Sequence, residues 1–168
     1  DLIRWWGGEI KSVFGQALTI VKDRIDKNSK EKWQATADDL SYFSLELLNG
    51  GLANVFMSGV VSHSLGNKTQ IFGSEGTIIL EDKTEEILFA KKGEDFKKLF
   101  FEDPNASLDG VNKGIWNVSV VSLLEELTSA IKENRSLNEG STFEDGLKNQ
   151  LVVDAVFQST KERKWIDL

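Results

Sequence analysis

The sequence predicts an α+β domain: a mainly antiparallel open sheet of about six to eight strands with helices packed on one face. Three observations lead there. Short strand-like runs punctuated by turn residues fill the middle of the chain, two long segments of helical periodicity follow them, and a helix and a strand precede them. Runs of strands followed by runs of helices give an α+β layer rather than an alternating α/β one. With 168 residues, 40% of them hydrophobic, the chain has material for one core and reads as a single domain over residues 1–168.

In order along the chain, Asp1-Leu2-Ile3-Arg4-Trp5-Trp6 reads as the last turns of a helix that stops at Gly7-Gly8, because glycine tolerates the left-handed backbone of a helix end. Large aromatics usually supply core area, so Trp5 and Trp6 are expected to bury against the sheet. From Ile10 to Ile25 the β-branched and aromatic residues favour one extended strand, with a polar loop from Asp26 to Lys32. Asn49-Gly50 between the apolar runs Leu40–Leu48 and Leu52–Val61 marks a tight hairpin of type I′, in which both central residues take positive φ. Apolar residues fall on both faces of these strands, so both faces need a cover. Further strands are expected at Thr69–Phe72, Thr77–Leu80, Glu86–Ala90 and Lys97–Phe101. Pro104 then opens a Gly/Asn/Asp-rich connection to Gly114. A helix fits Ile115–Glu133, where Val118, Val121, Leu124, Leu127 and Ile131 recur at spacings of three and four. A second begins near Glu144 with a capping box formed by Ser141 and Glu144, presents Leu147, Leu151, Ala155 and Val156, and fades near Lys161. Lys164–Leu168 closes the chain as a strand.

Composition removes several functions. The net charge of −7 is spread through mixed acidic and basic stretches, which excludes the basic footprint that phosphate backbones require, so no nucleic-acid partner is expected. No cysteine and a single histidine, His63, exclude a thiolate nucleophile, a disulfide framework and a multi-histidine metal site. No apolar run approaches the roughly 20 residues of a membrane span, and a cytoplasmic protein is the expectation. The chain starts at Asp1 without a methionine and is read as a piece of a longer protein.

Three segments in sequence resemble the C-terminal domain of the Gfo/Idh/MocA oxidoreductases, the family of glucose-fructose oxidoreductase and inositol dehydrogenase. They are Asp1-Leu2-Ile3-Arg4-Trp5-Trp6-Gly7-Gly8-Glu9; Leu47-Leu48-Asn49-Gly50-Gly51 with Ile71-Phe72-Gly73-Ser74-Glu75-Gly76-Thr77-Ile78; and Phe143-Glu144-Asp145-Gly146-Leu147 running on through Gln150, Asp154-Ala155 and Ser159 to Lys164-Trp165-Ile166. The resemblance implies a fold like the C-terminal domains of dihydrodipicolinate reductase and glyceraldehyde-3-phosphate dehydrogenase. It also implies a Rossmann nucleotide-binding domain ahead of Asp1 that holds NAD or NADP, and hydride transfer to or from a sugar, polyol or related hydroxy compound. The family's catalytic lysine and histidine would lie upstream, the histidine three residues before Asp1, so the chain carries no catalytic, cofactor-binding or metal residue of its own and is inactive in isolation. Independently of the resemblance, apolar residues on both strand faces with helices on only one call for a partner subunit, so a homodimer or homotetramer through the open sheet face is expected.

By the same resemblance, His63 stands in a segment that carries substrate-contacting side chains, and Lys113, Trp116 and Asn117 stand where a connection enters the first long helix. Polar groups beside an aromatic suit a polyol, which needs hydrogen-bond partners and an apolar ring face. The structural alternative for Trp116 is the core, and for His63 a surface position. Glu144-Asp145 reads as helix capping rather than an acid–base pair, and Asp38-Asp39 as solvated acids. On the same fold, a non-catalytic ligand-binding or protein-interaction module is the competing reading.

Overall fold

The computed structural model describes all residues except Leu65, Glu85, Glu102 and 112–114, together with the backbone but not the side chains of Ile115 and Trp116. The chain divides into two compact units, residues 1–62 with 141–168, and residues 63–140.

The first unit opens with α1 (Leu2–Gly7). It ends at Gly8, whose φ of 105° and ψ of 179° suit glycine alone. Four strands form an antiparallel sheet in the order β10 (Ile166–Asp167), β1 (Ile10–Leu18), β4 (Leu40–Leu47) and β5 (Leu52–Ser58). Helix α3 (Phe143–Glu162) packs on β1. Val13, Leu45, Val152, Ala155, Val156 and Ile166 form the core, with Ile3, Ile10, Ala17, Phe43 and Ala53 packed around it.

What fixes α3 there is the short length of β10. It pairs only with Ser12 and Val13, so the N–H groups of Gly15 and Ala17 have no strand beside them. They donate instead to Ser159 Oγ at 3.0 Å and Thr160 Oγ1 at 2.9 Å, because a buried backbone donor must find a partner. Ser159 Oγ in turn donates to the Lys164 carbonyl at 2.7 Å, which ties the helix end to the turn into β10. Leu147 and Leu151, expected on the packed face, are exposed. The contact runs through Val152, Ala155, Val156 and Ser159 because the hydroxyl bonds set the helix's rotation.

Three local expectations change. The strand expected from Ile10 to Ile25 breaks after Leu18, since Asp39 captures the N–H groups of Ile20 and Val21 at 2.7 and 3.0 Å and draws the chain off the sheet. The residues beyond form a ribbon of β2 (Asp23–Ile25) and β3 (Lys32–Gln34), so the polar stretch 26–31 is its turn. At the β4–β5 hairpin, Gly50 takes φ 87° while Leu48 and Asn49 have no positive φ. With Gly50 N–H bonded to Leu47 O and Leu47 N–H to Gly51 O, this is a three-residue loop with a left-handed glycine rather than type I′. Asn49 is spent elsewhere: its Nδ2 donates to Gly7 O at 2.8 Å, joining the hairpin to the end of α1. The capping box of α3 lies one residue further on, Thr142 with Asp145. Ser141 is drawn away by a 2.7 Å hydrogen bond to Asp1 Oδ2.

The second unit is a meander, β6 (Lys68–Phe72), β7 (Gly76–Glu81), β8 (Glu86–Lys91) and β9 (Lys97–Leu99), paired in sequence order. Gly76 is obligatory at the β7–β8 pair, where a Cβ would stand 2.4 Å from the Ala90 carbonyl oxygen. A 3₁₀ turn at Pro104–Ser107, capped by Asp103, places Asn105 to donate to Ser122 and Glu125 of α2 (Ile115–Glu133). That helix closes with Asn134 at φ 50° and paired Asn134 N–H to Ile131 O and Arg135 N–H to Ala130 O bonds, a Schellman end. The α+β class with antiparallel sheets therefore holds, the strands among the described residues being divided four, two and four.

Candidate functional site

The largest polar constellation among the described residues surrounds Arg4, whose side chain is only 9% exposed. Its guanidinium reaches Asp1 at 3.3 Å, Glu9 at 3.1 Å and Asp145 at 2.9 Å, while Lys148 bridges Glu9 and Glu144. The hydrogen bond from Arg4, seconded by Lys148, holds Glu9 at about 2. The Thr142 N–H and hydroxyl, then Arg4, hold Asp145 well below the ordinary carboxylate range. Arg4 itself is raised, by Glu9 first and Asp145 second. Carboxylates held this far down stay ionised and cannot exchange protons near neutrality. The cluster's chemistry is a clamp that fastens α1 to the start of α3, and Asp145 caps a helix rather than forming an acid–base pair with Glu144.

Trp5 and Trp6 do not bury against the sheet. They are 74% and 43% exposed, with ring centroids 6.4 Å apart. On a six-residue helix Ile3 and Arg4 face inward, so residues 2, 5 and 6 are left on the outside. Asp39 departs from expectation in the opposite sense: its side chain is 6% exposed and pairs with Arg24 at 2.8 Å. No period or motif marks such a residue, since its partners are backbone amides that only the fold assembles.

Among the residues the sequence singles out for substrate, His63 follows β5 at an exposed bend and Asn117 is exposed in the first turn of α2. Trp116 precedes it on that helix, its side chain outside the described residues, and Lys113 lies outside them altogether. A depression of about 110 Å³ beside the β4–β5 hairpin, lined by Lys11, Glu46, Leu47, Gly50, Gly51 and Leu52, is smaller than the roughly 300–1,000 Å³ of small-molecule sites. A bulge between Ile10 and Ser12 turns both Lys11 and Ser12 to Glu46, at 3.2 and 3.0 Å, so its polar groups are already paired.

The face of the first sheet opposite α3 is the apolar surface the sequence anticipates. Gln16, Tyr42 and Phe56 stand in one cross-strand row, and Phe14 lies beside them with Trp165 at 5.7 Å. Phe14, Tyr42 and Phe56 are 38%, 43% and 66% exposed.

A dinucleotide's pyrophosphate needs a glycine-rich turn between a strand and a helix N-terminus. Gly73 and Gly76 instead join β6 to β7, and Gly76 is explained by its carbonyl neighbour. The described residues do not fit that cofactor. Nor do they contain a group of three or more acids and histidines able to hold a metal ion, or a helix long and apolar enough to cross a membrane.

A family model described as "Oxidoreductase family, C-terminal alpha/beta domain", that of Gfo/Idh/MocA proteins, matches residues 1–168. Among solved structures, apo levoglucosan dehydrogenase matches with a TM-score of 0.84 at 20% identity, over 100% of this chain and 48% of that one. An oxidoreductase domain protein from Kribbella flavida matches with a TM-score of 0.82 at 24% identity, over 99% and 47%. The glucose-fructose oxidoreductase domain-containing protein 2 of Xenopus tropicalis is 22% identical over 144 residues, 77% of this chain and 37% of that protein. The chain thus spans less than half the length of these relatives.

Proposed function

Because this chain belongs to the Gfo/Idh/MocA oxidoreductase family, as its C-terminal α/β domain, we propose that it is the substrate-binding and assembly half of an NAD(P)-dependent dehydrogenase acting on a sugar, polyol or related hydroxy compound. The observation that carries the reading is the family match over every residue from 1 to 168. A Rossmann domain ahead of Asp1 would hold NAD or NADP as the hydride carrier, and its lysine, with a histidine just upstream of Asp1, would take the hydroxyl proton as hydride leaves a carbinol carbon, or return it to the oxygen when hydride is added to the carbonyl carbon in the reverse direction. Levoglucosan dehydrogenase, similar in fold, has been solved with NADH and levoglucosan and with NADH and L-sorbose, which supports the sugar class. In this chain His63, Lys113, Trp116 and Asn117 supply substrate contacts.

The protein works in the cytoplasm as a homodimer or homotetramer, joined through the sheet face of Phe14, Tyr42, Phe56 and Trp165. Exposed aromatic patches of this kind gain most from exclusion of water by a second copy. Steady-state assays of the full-length protein with NADH and NADPH, or their oxidised forms, across a panel of sugars and polyols should show turnover with at least one pair. Absence of turnover throughout would sink the enzymatic reading. A monomeric mass by light scattering at micromolar concentration would remove the sheet-face interface.

A further inference from the structure

We propose that the outer face of α1, made of Leu2, Trp5 and Trp6, is the seat on which the preceding nucleotide-binding domain rests. This rests on the reading above that such a domain precedes Asp1. Helix α1 has no buried residue, yet it is fastened at several points. Arg4 binds Asp1, Glu9 and Asp145, Asn49 holds the Gly7 carbonyl, and Ser141 holds Asp1. Held through its cap Asp1, Arg4 and Gly7, and with Ile3 against the core, the helix presents its opposite face rigidly. That face is Leu2 at 55%, Trp5 at 74% and Trp6 at 43% exposure.

An indole buries about 150–250 Å² when covered, and interfaces between domains of one chain occupy about 600–1,500 Å². Two indoles and a leucine therefore make a substantial part of such a contact. The occupant follows from connectivity and chemistry. A domain preceding Asp1 joins the chain on this very helix, and relatives that are about twice as long leave room for one. A sugar is a poorer fit, because hydroxyls require hydrogen-bond partners and the nearby polar groups, Asp1, Arg4 and Glu9, are committed to one another.

The test is hydroxyl-radical footprinting read by mass spectrometry on the full-length protein, comparing native with urea-unfolded samples. Trp5 and Trp6 should oxidise about fivefold or more slowly in the native protein, as exclusion of water from an interface core demands. In a calorimeter, Trp5→Ser should split or broaden the joint melting of the two halves. Oxidation of native Trp5 at the unfolded rate overturns the proposal, and so does protection that arises only when L-sorbose is added. NAD(P)H turnover measured on the same sample keeps the two readings apart: turnover with unprotected indoles removes the seat alone, whereas protection without turnover removes the enzymatic reading and leaves the seat.

Discussion

In residues 1–62 with 141–168, a four-stranded sheet is sealed on one face by α3, and Val13 and Leu45 are 0% and 1% exposed. In residues 63–140 an equally regular four-stranded meander carries the runs Ile78-Ile79-Leu80 and Ile87-Leu88-Phe89, yet Ala90 is its one buried strand residue. Apolar content is thus not what separates the units. Helix α3, the less apolar of the two long helices, builds a core, because Ser159 and Thr160 bond the free amides of β1 and set side chains at close range. Helix α2 leaves Leu124, Leu127 and Ile131 exposed and is joined to its own unit through Asn105 and the Glu126–Arg135 pair. Burial follows from where unsatisfied backbone groups can be paired as much as from where apolar residues lie.

The comparison can be broken most directly by truncation. Leu45→Ala, at 1% exposure, should lower unfolding stability by about 2–5 kcal/mol. The same truncation at Leu124, 52% exposed on α2, should change it by less than about 0.5 kcal/mol; equal losses in urea titrations would mean that both units are sealed alike. Next in size, Ser159→Ala strands the Gly15 N–H and the Lys164 carbonyl, and should cost about 1–3 kcal/mol. Amide exchange should then quicken at Gly15 and leave Ile78 and Ile79 untouched; uniform quickening would sink the claim that the hydroxyl acts locally. Thr142→Ala removes the cap of α3 at about 0.5–2 kcal/mol, read as a lower midpoint in circular dichroism. Unchanged melting would show the Arg4 clamp suffices alone.

The smallest effect is electrostatic, since Glu9 is 47% exposed and Asp145 31%. Both pKa values are lower in the folded state than in the unfolded chain, so the stability they contribute is present above the ordinary carboxylate value and is lost as pH falls. For Glu9 that window runs from 4.5 down to about 2. Arg4→Gln should flatten the acid limb of the stability profile in that window. A profile that keeps its slope would dissociate the clamp from acid sensitivity.

Much of the fold is legible in the chain. Helix α2 has the bounds that its three-and-four spacing predicts, Ile115–Glu133, and Asn-Gly marks its hairpin, because periodicity and turn chemistry act over a few residues. The family, too, is readable from three short motifs. The sheet-breaking grip of Asp39 on Ile20 and Val21 was hidden, and so were the shift of the cap from Ser141 to Thr142 and the exposure of Trp5 and Trp6. Each depends on a partner far along the chain: Asp39 lies 18 and 19 residues from the amides it binds, and Ser141 lies 140 from Asp1. The candidate substrate residues rest on residue type and motif, and His63 and Asn117 are both at exposed positions.

By itself, then, the sequence determined the two long helices, the β4–β5 hairpin and the run of short strands after it, that the class is antiparallel α+β, and to which family the chain belongs, since each is written in near-neighbour spacing. Tertiary structure alone decided which helix makes the core, which carboxylates are locked as ions, and which indoles stay bare. Those outcomes turn on the pairing of backbone and charged groups brought together from opposite ends of the chain, and no local pattern encodes that meeting.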